Sequence, residues 1–170
     1  MNITNLVHSL QEISNTISIV YSNSTWDNSS IAYAEEDTEL NCLVEAVYHE
    51  ARSESFLGQL AVANVIIERA NLAKFPDTIC KVVHAGLYWK GNIIKNKCAF
   101  SYYCDGKKEW VGVDKKALDT AYDVSSLALK GVSLNSTLGA THYHASYVYP
   151  RWANHMERLE QIDTHIFYID

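Results

Sequence analysis

The chain predicts an α+β domain, predominantly helical, with a small antiparallel β-ribbon near the C-terminus. Three observations predict it. Apolar residues recur at steps of three and four through most of the first 130 positions, the spacing of a buried helix face. Gly131 closes the last of these segments, as a residue just past a helix end often does. Beyond it the pattern changes to alternation rich in β-formers, over Thr141–Val148 and again over His165–Ile169.

At 170 residues the chain is long enough to bury a substantial core, and an apolar content of 48% with 20% charged residues is ordinary for a globular protein. No apolar run approaches the roughly 20 residues that span a bilayer. The net charge is −6 and the basic residues are scattered. A nucleic-acid partner is therefore not expected, because phosphate binding wants a basic stripe. Eleven Tyr and four Trp form the conspicuous excess, a composition that suits sugar-binding clefts and ordinary cores alike.

Residues 1–21 carry Ile3, Leu6, Val7, Leu10, Ile13, Ile17 and Val20 at helical spacing and read as an amphipathic helix. It has neither the basic start nor the unbroken apolar core of a signal peptide, and would pack on its own domain or dock on a partner. A Ser/Asn-rich stretch and the acidic run Glu35-Glu36-Asp37 read as a linker. The expected division is thus 1–37 for helix and linker and 38–170 for the working domain.

The helix from Leu40 to about Glu54, capped by Thr38 or Asp37, buries Leu40, Leu43, Val44, Val47 and Ala51. Glu45, His49 and Arg52 fall on the opposite, solvated side. Glu50 lies on the shoulder of the apolar stripe, where burial disfavours the ionised form and raises the pKa, as a general acid near neutral pH requires. On pattern alone the default is a shoulder Glu that snorkels to water or pairs with Lys or Arg. From Leu60 to Ile67 the next helix is apolar nearly all round apart from Asn64 and reads as the central core helix. Pro76-Asp77 opens a short third helix with Asp77 as N-cap and Ile79, Val82 and Val83 inward. Residues 86–113 read as long loops with a short hairpin. Asp114 caps a fourth helix that buries Leu118, Ala121, Ser125, Ala128 and Leu129. The two C-terminal β segments would pair, with Pro150 to Gln161 as an excursion between them.

Four cysteines, Cys42, Cys80, Cys98 and Cys104, allow two disulfides in three connectivities. Cys98 and Cys104 bracket a short segment and make the natural local bridge; Cys42 on its helix reads equally as a buried thiol. Disulfides would imply an oxidising compartment such as a periplasm or cell surface.

The segment Cys42-Leu-Val-Glu-Ala-Val-Tyr-His-Glu-Ala-Arg-Ser-Glu-Ser55, followed by Gly58-Gln-Leu-Ala-Val-Ala-Asn-Val65 and Glu68-Arg69, resembles the signature of the SleB/CwlJ-type cell-wall hydrolases. These are the spore cortex-lytic enzymes and their Gram-negative and phage relatives. Further blocks follow in family order: Phe75–Val83, Phe100–Gly106, Gly139–Ala145, Val148-Tyr-Pro150 with Trp152, and His165–Tyr168. The resemblance implies a lysozyme- or transglycosylase-like domain that cuts the glycan strands of peptidoglycan at the cell envelope without a cofactor, in a bacterium or for a phage. It places the essential Glu of the family's Glu-Ala-x-Gly-Glu motif at Glu50 and the second Glu at Glu54. Ser53 stands where the family usually has Gly, so a slightly different turn is expected after Glu50.

Glycoside hydrolysis usually employs two carboxylates, and Glu54 is the obvious second. Because Ser53 and Ser55 argue against a continuing helix, a route with Glu50 alone fits better, with Glu54 orienting Glu50 or binding substrate. In that route Glu50 protonates the glycosidic oxygen and then takes a proton from the muramic C6 hydroxyl as it attacks C1, the lytic transglycosylase reaction. Tyr143, Tyr147 and Trp152, with His142, His144, Phe100 and Ser101, are the candidate sugar-binding residues; alternate members of the strand could equally fill the core. Two other readings compete. One is a zinc amidase or endopeptidase using His142, His144, His155 and His165, although the chain has no H-E-x-x-H helix. The other is a peptidoglycan-binding or virion module without catalysis, against which an intact Glu50 argues.

Overall fold

The structure, a computed structural model, describes residues 38–107 and 113–170. The expected N-terminal helix, its linker and the Asp37 cap lie outside the described residues. Helix α1 (Thr38–Ala51) buries Leu43, Val47 and Ala51 from its stripe. It packs against α2 (Phe56–Asn71), α3 (Ile79–Val83) and α4 (Lys115–Leu129). α2 is the central helix that its composition predicts, with Leu60, Ala61, Val62, Ala63, Val65 and Ile66 all buried. Asn64 is satisfied within the fold: its side chain donates to the carbonyl of Val132 (3.0 Å) and accepts from the amide of Leu134 (3.3 Å). It pins the loop after α4, which ends as expected, with Gly131 at φ 89°. Among the described residues no helix is long and apolar enough to cross a membrane.

Local chemistry explains where the elements begin. Ser55 caps α2 by accepting from the amide of Gly58, and Asp114 caps α4 by accepting from Ala117 (each 3.2 Å). α3 corrects the expected cap. Thr78, not Asp77, accepts from the amide of Lys81, because Asp77 is drawn into an exposed ion pair with the Lys81 side chain (2.8 Å). Glu39 of α1 also reaches the start of α3 and accepts from the amide of Ile79 (2.5 Å). That contact lays α3 across the first turns of α1 and brings Cys80 to Cys42. The two form a disulfide, with Cα atoms 5.2 Å apart, so Cys42 is not a free thiol. Cys98 and Cys104 form the second, local bridge.

Residues 86–98 form a hairpin of β1 (Gly86–Trp89) and β2 (Asn92–Cys98), followed by a 3-10 turn at Ser101–Cys104. The C-terminal sheet has three strands rather than two. β3 (His142–Ala145) and β4 (Glu157–Ile162) both pair antiparallel with β5 (His165–Ile169), in the order β3-β5-β4. The expected excursion thus holds a 3-10 turn (Arg151–His155) and then β4, a largely exposed edge strand whose sequence Glu-Arg-Leu-Glu-Gln-Ile shows little alternation. Phe167 of β5 is fully buried and ties the sheet into the helical core.

The tip of the β4–β5 hairpin is locked onto the α1–α2 loop. Glu54 accepts from both the amide (3.0 Å) and the hydroxyl (2.7 Å) of Thr164, while Asp163 accepts from the amide of Ser55 (2.8 Å). A side chain at Gly58 would collide with the Asp163 carboxylate, so the close approach requires glycine there. Glu54→Ala removes both acceptors and is expected to cost about 1.5 kcal/mol, read as a lower melting temperature. A variant that melts with the parent would show the lock to be idle.

Candidate active site

A groove of about 640 Å³ opens between the end of α1, the 3-10 turn at Ser101–Cys104 and the strands β3 and β5. Glu50 projects into it from the last turn of α1. The position on the shoulder of the apolar stripe, visible as a spacing, becomes a half-buried carboxyl on the groove floor. Tyr143 of β3 donates its hydroxyl to Glu50 Oε2 (3.3 Å). Burial raises the Glu50 pKa above the usual carboxylate range, opposed by the Tyr143 hydrogen bond and by the charge of Arg69. Burial, reinforced by the nearby Glu50 charge, pushes the Tyr143 phenol well above its ordinary value. Tyr143 is therefore a neutral donor across the working pH range.

Arg69, near the end of α2, lies behind the groove lining, where its charge acts on Glu50 and Tyr143. Its Nε donates to the carbonyl of Thr141 at the start of β3 (2.7 Å), and its guanidinium lies over the rings of Phe75 and Phe100 (5.4 and 5.8 Å). Burial lowers its pKa, while Tyr143 and Glu50 work in the opposite direction. His165 lines the groove from the start of β5, is 8% exposed, and stands edge-on to Tyr143 with centroids 5.1 Å apart. Its Nδ1 makes no hydrogen bond among the described residues, and burial depresses its pKa against the opposing charges of Glu54 and Asp163. His49 is not solvated as its helical position suggests. It stacks on Tyr102 (4.4 Å), because the 3-10 turn folds over that side of α1.

Of the residues singled out from the sequence, Glu50, Tyr143, His144, Tyr147 and Ser101 line the groove. Tyr147, 84% exposed, stands on the loop after β3. His144 is buried and committed: its Nδ1 donates to the carbonyl of Ala145 (2.9 Å), which leaves Nε2 to accept from the Tyr168 hydroxyl (3.0 Å). Glu54, Phe100, His142 and Trp152 lie outside the groove. Glu54 is held by Thr164. Phe100 is 2% exposed, so it serves as a floor for Arg69 and cannot meet a glycan. His142 and Trp152 pack on each other (5.3 Å) beside Phe75 and Tyr168, on the face of β3 opposite Tyr143. Sequence patterns mark neither Arg69 and His165 as part of a glycan-cleaving site nor Tyr102 as a site residue. Each is brought in by tertiary pairing, which local periodicity does not encode. Ser53 is not among the described residues with positive φ, so serine meets no backbone strain where the resemblance expects glycine. Among the described residues no three His, Cys, Asp or Glu side chains converge to hold an ion.

The family profile described as Cell Wall Hydrolase matches residues 53–168. The chain belongs to the cell wall hydrolase family. It is 30% identical over 135 residues to a spore cortex-lytic enzyme of Oceanobacillus iheyensis, covering 79% of this chain and 42% of that protein. It is 31% identical over 132 residues to a spore cortex-lytic enzyme of Halalkalibacterium halodurans, covering 77% of this chain and 34% of that protein. The chain thus spans well under half the length of these curated relatives. Among solved structures, the catalytic domain of the germination-specific lytic transglycosylase SleB from Bacillus anthracis superposes with a TM-score of 0.59 at 26% identity, covering 81% of this chain and 99% of that one. The SleB catalytic domain from Bacillus cereus gives 0.57 at 27% identity, covering 76% and 88%. The family profile begins three residues past Glu50, so the case for Glu50 in this cell wall hydrolase rests on the groove.

Tyr143→Phe removes the one side-chain donor to Glu50 seen among the described contacts. The Glu50 pKa should rise further, because that hydrogen bond holds it down. If Glu50 serves as a general acid it works protonated, and activity lost as pH rises through this pKa should then be lost at higher pH in the variant. A pH–rate profile whose alkaline limb stays in place would exclude the coupling.

Proposed function

We propose that this domain cleaves the glycan strands of peptidoglycan by lytic transglycosylation, with Glu50 as the sole general acid and base. The observation that carries the proposal is the half-buried Glu50 carboxyl in the groove, held beside a neutral phenol, while the other acids nearby are engaged. Asp105 accepts from the backbone of Lys107 and pairs with its side chain (3.3 Å). Asp114 caps α4, and Glu54 is bound by Thr164. A two-carboxylate mechanism would need one of these acids freed. The likeness to SleB catalytic domains, one of them described as a lytic transglycosylase, supports the same reading, as does membership of a family described as Cell Wall Hydrolase.

The proton held by Glu50 passes to the bridging oxygen as the C1–O bond breaks. The C6 hydroxyl of the same muramic ring then attacks C1, and its proton returns to the Glu50 carboxylate. The products are a free sugar hydroxyl and a 1,6-anhydro ring, and no water is consumed. Arg69 and Tyr143 keep the carboxylate tolerable in the interval between the two transfers. Glu54 is a positioning residue, which fixes the loop that follows Glu50. The site of action on this reading is the cell envelope or spore cortex.

Mass spectrometry of peptidoglycan digested with the purified protein tests the proposal. Anhydro-muropeptides are expected. Products heavier by one water would replace transglycosylation with hydrolysis, and uncut strands would remove the enzymatic reading.

A further inference from the structure

The β1–β2 hairpin is not used by the mechanism above, and its chemistry differs from the rest of the chain. Between Gly86 and Cys98 it carries Lys90, Lys95 and Lys97 and no acid, in a chain of net charge −6. Trp89 is 69% and Leu87 60% exposed. The register pairs Tyr88 with Ile93 and Trp89 with Asn92. Since side chains alternate along a strand, Trp89 and Asn92 share one face and Tyr88 and Ile93 the other, with a register shift between Gly86 and Tyr88. Lys90 and Gly91, at φ 50° and 81°, make the tight two-residue turn that holds this face in shape.

The hairpin is tied to the rim of the groove. Cys98 at the end of β2 is bonded to Cys104, in the 3-10 turn that supplies Ser101 and Tyr102 to the groove. The Lys95 side chain lies against Gly106, between the groove-lining Asp105 and Lys107. From that rim an exposed aromatic and aliphatic face and a lysine series lead outward.

We propose that the β1–β2 hairpin is a second binding surface for the peptidoglycan strand that enters the groove, taking the carboxylates of its peptide stems on Lys90 and Lys95 and a sugar or peptide face on Trp89. The proposal rests on the glycan-cleaving reading for the identity of the polymer. One observation favours this occupant over an anionic membrane: the surface is continuous with the groove rim.

The test uses the full chain carrying Glu50→Gln, so that walls stay intact while binding is measured by co-sedimentation with purified sacculi. Trp89→Ala and the pair Lys90→Gln/Lys95→Gln are each expected to weaken binding about tenfold, the loss of one good contact. Sacculi with amidated stem carboxylates should bind the parent as weakly as the lysine pair binds native walls, with no further loss in the pair. In the Glu50-intact chain the lysine pair should cleave short stem-free glycan oligomers at the parent rate. Wall binding unchanged in both variants would overturn the proposal. So would capture of the parent by phosphatidylglycerol vesicles that is lost in Trp89→Ala, which would assign the face to a membrane. Should the parent cleave no glycan while wall binding still depends on the hairpin, the catalytic reading fails and the binding surface stands.

Discussion

Replacing Glu50 with Gln is expected to lower glycan cleavage by about a thousandfold, within the range for losing a general acid–base group, with the fold intact. Gln can still accept from the Tyr143 hydroxyl, so the geometry of the floor survives while the transferable proton is gone. Stability should move the other way. A carboxyl whose folded pKa is raised contributes no penalty below its unfolded pKa and a full penalty above its folded pKa. The variant should therefore match the parent in acid and become the more stable of the two as pH rises toward neutrality. Thermal melts at a series of pH values, beside a turbidity assay on purified walls, check both halves. A Glu50→Gln protein that clears walls would remove the mechanism outright.

The second large effect concerns Cys42–Cys80. This bridge closes a loop of sequence separation 38, against 6 for Cys98–Cys104. Loop-closure entropy makes the longer bridge worth about 4 kcal/mol and the shorter about 2 kcal/mol. The double change Cys42→Ala/Cys80→Ala should therefore cost the larger amount, a substantial part of the stability of a typical domain. Denaturant unfolding of the two bridge-less proteins compares them directly. Equal losses would mean that loop closure does not set the scale here. The same bridge fixes α3 against the start of α1, about two turns from Glu50, so residual activity at low temperature should be nearly normal.

Much of the fold is legible in the amino-acid sequence. The stripes of α1 and α2 are strong because each helix buries a broad face in one core, and the Asp114 cap announces α4 by a local rule. Glu50 was visible as an acid out of place on an apolar shoulder, and Tyr143 as one of several strand aromatics. What spacing could not reveal was that their side chains meet. Arg69 and His165 hide for the same reason: each looks like a helix-end or strand polar residue until a contact across the fold defines it. β4 escaped because an edge strand facing water needs no alternating pattern, and its pairing comes from β5 rather than from its own sequence. The cap of α3 falls one residue after the position that spacing predicts, because Asp77 has a competing cation four residues on.

The position of β5 has a bearing on how the groove comes into being. The strand is late in sequence yet central in its sheet, and it supplies both His165 and the buried Phe167. During synthesis, β3 and β4 emerge from the ribosome with nothing to pair against until residues 165–169 follow. A nascent chain can assemble its helices early, but the wall opposite Glu50 waits for these late contacts of high sequence separation. The groove is thus among the last parts of the domain to take shape.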